Sequence, residues 1–195
     1  MKGLLLKDLY VTKKYCRSLA LFVAVFSVMQ VINRDSALFA FLPAVIGGML
    51  PMTLIAYDEQ ARWDEFAGIL PVSVAERVIE KYLTGLMGFL AAAAVTLTVH
   101  LCCRGTEDVG GFVGVLATVG LLPAAVLLPL VFRFGVNKGR IFYYLLLGGI
   151  SAFIGIKSGT GDGITGGSWV MVPVVLAVYA LSCALSVYLF PRRIK

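Results

Sequence analysis

Charge is scarce in this chain: 14% of its 195 residues are Asp, Glu, Lys or Arg, against about a quarter in an ordinary soluble domain. With 59% of the residues hydrophobic and a mean hydropathy of +0.92, too few polar groups remain to cover a water-soluble surface, so lipid must be part of the solvent. Histidine is limited to His100, and HExxH, GxSxG and paired carboxylates inside apolar runs are all missing. Metal-dependent and serine hydrolases, and carriers driven by an intramembrane proton relay, are therefore unsupported. The four cysteines, Cys16, Cys102, Cys103 and Cys183, fit no zinc or redox spacing, and bridging the adjacent pair would be strained. They read as small apolar membrane residues. The glycine-rich stretch KSGTGDGITGG at 157–167 lacks the lysine of GxxxxGK[ST] and any flanking strand and helix. It reads as a linker, which leaves the chain with no nucleotide site and no cofactor of its own. A cleavable leader is not expected, because the first apolar run is short and is followed by charge. Residues 1–195 are expected to form a single membrane domain.

What is abundant is apolar sequence in runs of about 20 residues, the length that crosses roughly 30 Å of hydrocarbon. Six occur, at 16–33, 36–57, 83–103, 109–132, 141–157 and 168–190. The expected fold is an all-α membrane protein with six transmembrane helices. The first and fifth runs are short, and the fifth carries Gly148, Gly149 and Gly155, so a re-entrant hairpin is its alternative. Of the 17 lysines and arginines, only Arg34, Arg104 and Lys157 fall on one side of this arrangement; the other fourteen fall on the opposite side. The positive-inside rule assigns the richer side to the cytoplasm, giving a multi-pass protein of the cell membrane with both termini cytoplasmic. The same distribution explains the net charge of +6 by contact with anionic inner-leaflet lipid and not with nucleic acid.

Within this frame, residues 2–14 alternate Leu4, Leu5, Leu6 and Leu9 with Lys2, Lys7, Asp8, Lys13 and Lys14, the pattern of an amphipathic helix lying in the inner interface. The other reading is that they simply begin the first span, their lysines snorkelling. Asn33 to Ser36 and Arg104 to Asp108 form short outer turns. Pro43, Pro51, Pro123, Pro129 and Pro173 fall inside spans and mark candidate kinks. Gly47, Gly48, Gly85, Gly88, Gly110 and Gly114 permit close helix packing. His100 lies near an outer span end, where interfacial solvation or an interhelical hydrogen bond accounts for it.

The largest polar stretch is the cytoplasmic segment 58–82, within YDEQARWDEFAGILPVSVAERVIEKYL from Tyr57. Residues 58–69 read as a helix with Asp58 and Glu59 in its first turn, an Asp58–Arg62 pair at i, i+4, and an aromatic face of Trp63, Phe66 and Ile69 or Leu70. Pro71 ends it. Ser73 and Glu76 form a capping box that opens a second helix running into the third span. A helix, a sharp corner and a rigid continuation make a coupling element that would carry force into the second and third spans. The aromatic face either lies in the lipid interface or meets a protein. The six acidic residues of 58–80 favour a basic protein partner over an anionic leaflet.

The sequence LLLKDLY at 4–10, the YDE closing the second run, W-x-x-F, ILPVS and RVIEKY resemble the small ABC-2 type permeases, with phenol-soluble modulin exporter permeases the nearest comparison. The resemblance spans essentially the whole chain. The family commonly has an arginine soon after LPVS; here Val74 and Ala75 follow and Arg77 is the nearest basic residue. The resemblance implies a permease subunit of an exporter that pairs with a second copy or a paralogue and docks a cytosolic ABC ATPase, which binds ATP and Mg. It also implies amphipathic peptides as substrates. The docking segment would correspond to Asp58, Glu59, Arg62, Trp63, Glu65, Phe66, Leu70 and Pro71, and no catalytic or metal-binding residue is expected. The alternatives are an ATPase-independent channel or carrier, for which Gln30, Thr53, Thr96, Thr98 and Thr118 offer a sparse lining, and a non-transporting scaffold or sensor.

Overall fold

The computed structural model describes residues 2–32, 37–63, 73–104, 109–136, 138–139, 141–142, 145, 148–149 and 171–190. Among these, six helices are defined: α1 Lys2–Ile32, α2 Ala37–Gly48, α3 Leu50–Gln60, α4 Val74–Arg104, α5 Val109–Phe134 and α6 Met171–Leu189. By length and composition, four segments among the described residues can cross a membrane: Phe41–Gln60, Ala75–Cys103, Val109–Phe134 and Met171–Leu189. Each coincides with an expected span. The first expected span is represented by the shorter apolar stretch Ala20–Ile32 of α1. Of the fifth, residues 141, 142, 145, 148 and 149 are helical, and the remainder lies outside the described residues, as does the glycine-rich linker.

One expectation changes at the N-terminus. α1 is a single 31-residue helix, so residues 2–14 are the opening turns of the first apolar helix and not a separate element. The physical reason is in the chain itself. No glycine or proline occurs from Leu4 to Leu42, so nothing within α1 beyond its first turn interrupts its backbone hydrogen bonds. At 1.5 Å per residue α1 and α4 each extend about 46 Å, more than a hydrocarbon core needs.

The second span behaves oppositely. Met49 is a turn between α2 and α3, and Pro51 occupies the first turn of α3, where its missing N–H costs nothing. α2 packs against α1, α4 and α5, and α5 packs most extensively on α6. The core runs through Ala44, Val78, Leu121, Leu128 and Val131. Small residues set its closest approaches. A Cβ on Gly47 would stand 2.7 Å from the carbonyl oxygen of Gly88, and one on Gly48 would collide with the carbonyl of Gly120. Backbone meets backbone at both points, which glycine alone permits. The opposite faces of α4 and α6 expose Leu90, Leu181 and Leu185 to what must be lipid.

His100 is buried and stacks on Phe112 of α5, ring centres 3.8 Å apart and planes within 12°. It joins two helices through its ring face and does not sit in a solvated interface.

Candidate functional site

At one end of the bundle the start of α1, the end of α3 and the start of α4 converge on charge. Lys81 Nζ donates to Asp8 Oδ2 at 2.7 Å and reaches Asp58 Oδ2 at 2.7 Å. Lys7 Nζ donates to Asp58 Oδ1 at 2.8 Å and lies 3.4 Å from Asp8 Oδ1. Each ammonium thus touches both carboxylates, forming a closed ring of alternating sign and zero net charge. It is largely dry: the side chains of Asp8 and Lys81 are 1% and 7% exposed. Asp8 and Lys81 are tolerable at this depth because each is paired twice, while Lys7 and Asp58 are half-buried at the edge. Removing one partner from a buried pair typically costs about 3–5 kcal/mol, since the remaining charge stays uncompensated. Glu80 is buried beside this clasp, and the Lys7 ammonium also lies 4.3 Å from the centre of the Trp63 ring, within cation–π range.

The local reason for the clasp is the end of α3. Asp58 and Glu59 stand in its last turn, not the first turn of a helix spanning 58–69, and so face the negative end of the helix dipole. They need positive partners and find them in opposite directions. Asp58 turns to the two lysines. Both oxygens of Glu59 accept from the backbone N–H of Val136 at 3.3 Å, an N–H that opens the helical turn closed by Gly139 N to Gly135 O at 3.1 Å. A carboxylate on a helix N-terminus is favourable for the same dipolar reason.

Arg62 departs from expectation. The chain leaves α3 through Ala61 and Arg62, and Arg62 adopts φ 50°, a left-handed conformation that non-glycine residues rarely take. The helix therefore breaks at the point where an Asp58–Arg62 pair required it to continue. Arg62 is exposed, and Asp58 pairs with Lys7 and Lys81 instead. Trp63 is half-buried. Glu65, Phe66, Leu70 and Pro71 lie outside the described residues. The capping box is present in both directions: Ser73 N donates to Glu76 Oε2 at 3.1 Å and Glu76 N to Ser73 Oγ at 3.2 Å. Of the six acids read as facing a basic partner, Asp58, Glu59 and Glu76 are thus engaged within the chain and Glu80 is buried.

One residue beyond Lys81, α4 turns a polar side chain toward α6. Tyr82 Oη lies 2.7 Å from both Ser182 Oγ and Ser186 Oγ, and Tyr179 Oη donates to the Tyr82 carbonyl at 2.8 Å. Ser182 Oγ donates to the Ala125 carbonyl. That carbonyl is the one Pro129, four residues on, cannot serve, because proline has no N–H. Ser182 therefore replaces a lost helix bond, as polar side chains do beside membrane-helix prolines. Its single proton committed there, Ser182 accepts from Tyr82, and Tyr82 accepts from Ser186. The close of α6 lies at this same end, where Phe190 packs edge-on to Phe132 at 5.5 Å.

Of the residues expected in the docking segment, Asp58 and Trp63 lie at the clasp and Glu59 at the turn of Val136; Lys7, Asp8, Lys81 and the Tyr82 cluster are residues the sequence pattern did not single out. An ionisable residue adjoining an apolar run is the signal that could have flagged Asp8 and Lys81. Among the described residues no group of His, Cys, Asp and Glu is arranged to hold a metal.

A family model described as ABC-2 family transporter protein matches residues 3–191 of the chain. No curated protein and no solved structure gives a significant match. Almost the whole sequence is covered by the family match, and apolar helices of membrane-crossing length underlie it. The chain therefore belongs to the ABC-2 transporter family, the membrane permeases of ABC transporters.

Proposed function

We propose that this chain is the transmembrane subunit of an exporter that moves amphipathic peptides or similar hydrophobic substrates out of the cell. ATP, with Mg, is hydrolysed by a separate cytosolic subunit. Six spans with both termini cytoplasmic complete the reading, and a second copy or a paralogue forms the other half of the pathway. The observation that carries it is the corner after α3. Asp58 and Glu59 anchor the end of α3 to α1, α4 and the turn at Val136, and the chain departs at Arg62 into the aromatic, proline-terminated segment 63–71. A protein docked on that segment would push against three helices at once. The end of the bundle that holds the corner also holds the start of α1 and the close of α6, which supports termini on one side.

The anchoring contacts divide the roles within the expected docking segment. Asp58 and Glu59 hold the corner in place, and Trp63, Phe66, Leu70 and Pro71 meet the ATPase. Trp63→Ala or Phe66→Ala should leave ATP hydrolysis running while export falls, measured on the complex that co-purifies with the tagged chain. Unchanged export by both variants at normal abundance would count against the assignment.

A further inference from the structure

The clasp joins helices that the rest of the bundle leaves partly separate. Away from the clasp, α1 and α4 are parted by an apolar groove of about 320 Å³ lined by Leu9, Thr12, Val23, Thr84, Met87 and Val95, among others. α1 also packs on α2 and α4 beside this groove, and at the clasp Lys81 ties it to α4 by holding Asp8 at 2.7 and 2.9 Å. The same ammonium holds Asp58 at the end of α3, and Lys7 of α1 lies over Trp63, the first residue of the corner. α1 itself has no internal break over 31 residues, so a displacement at Asp8 is not absorbed before Ile32.

We infer that Lys81 is a positioning residue for energy coupling: by bridging Asp8 and Asp58 it makes the start of α1 and the corner one mechanical unit, so that movement imposed on the corner swings α1. This rests on the ATP-driven export proposed above. It assigns α1 a role that the docking segment alone does not give it. The first helix is the driven rod, and the groove beside it is the space that its movement opens or closes.

A merely structural clasp and a transmitting one respond differently to a balanced deletion. Lys81→Met alone leaves the buried Asp8 and Glu80 and the half-buried Asp58 with Lys7 as their one remaining lysine at the clasp and should lower the amount of folded protein. Asp8→Leu with Lys81→Met removes one charge of each sign and leaves the Lys7–Asp58 pair, so abundance should recover. The readout is substrate exported per ATP hydrolysed by the purified complex in proteoliposomes. Coupling between sites ordinarily amounts to about 5–150-fold, and the double variant should lose at least about tenfold in exported substrate per ATP while still hydrolysing ATP. Full recovery of that ratio along with abundance would overturn the inference while leaving the function intact. Absence of ATP-driven export by the unaltered complex would overturn both. Should the double variant fail to accumulate, spin labels at exposed Tyr10 and Ile79, on either side of the intact clasp, decide the matter. Their separation should be the same in nucleotide-free and ATP-trapped complexes, and a changed separation would overturn the rigid link.

Discussion

At the scale of single residues, the chemistry of this protein turns on which cation serves Asp58. Helical spacing alone nominates Arg62, four residues on. The folded chain instead uses Lys7 and Lys81, both distant in sequence, and places Arg62 at φ 50° on the surface. A double-mutant cycle separates these pairings, because residues in one ion-pair network show interaction energies of about 0.5–3 kcal/mol, whereas residues without shared contacts add. Asp58→Asn combined with Lys81→Met should be strongly non-additive in thermal unfolding of the detergent-solubilised protein. Asp58→Asn combined with Arg62→Ala should be additive. The reverse pattern would restore the local i, i+4 pair. Neither Asp8 nor Lys81 could be matched to a partner from sequence, since pairing across such separations leaves no periodic trace. All that showed was that each ionisable residue adjoined an apolar run.

At the scale of elements, most of the architecture was legible because lipid imposes a simple length rule. Four expected spans coincide with long apolar helices, and the Ser73–Glu76 capping box marks the start of α4. The continuity of α1 was present in the sequence as an absence, the lack of glycine or proline from Leu4 to Leu42; amphipathic alternation over 2–14 obscured it. The end of α3 was less legible, since Asp58 and Glu59 suit a helix start by their charge and are found at a helix end only because partners from three other parts of the chain compensate them. Pro129 lies inside α5, which stays helical through it, with Ser182 bonding the carbonyl that it frees. Ser182→Ala should therefore destabilise by about 1–3 kcal/mol, the usual penalty for an orphaned buried polar group. Pro129→Ala in the same chain should recover part of the loss by restoring the backbone N–H. Equal destabilisation in the presence and absence of Pro129, measured by thermal unfolding in detergent, would mean that the serine acts elsewhere.

At the scale of the whole molecule, the helices form a bundle whose one end is knitted by charge and hydroxyl groups, while apolar faces of α4 and α6 remain exposed along its flank. Such a body is suited to receive a push at the knitted end and to respond within the membrane. The function proposed above takes its energy from ATP hydrolysed by a separate subunit. The measurement that tests this most directly is reconstitution of the purified chain in liposomes, with and without the proposed ATPase subunit, using an amphipathic helical peptide as the probe. The account predicts peptide transport only when the ATPase and hydrolysable ATP are both present. Transport at the same rate by the chain alone would contradict it.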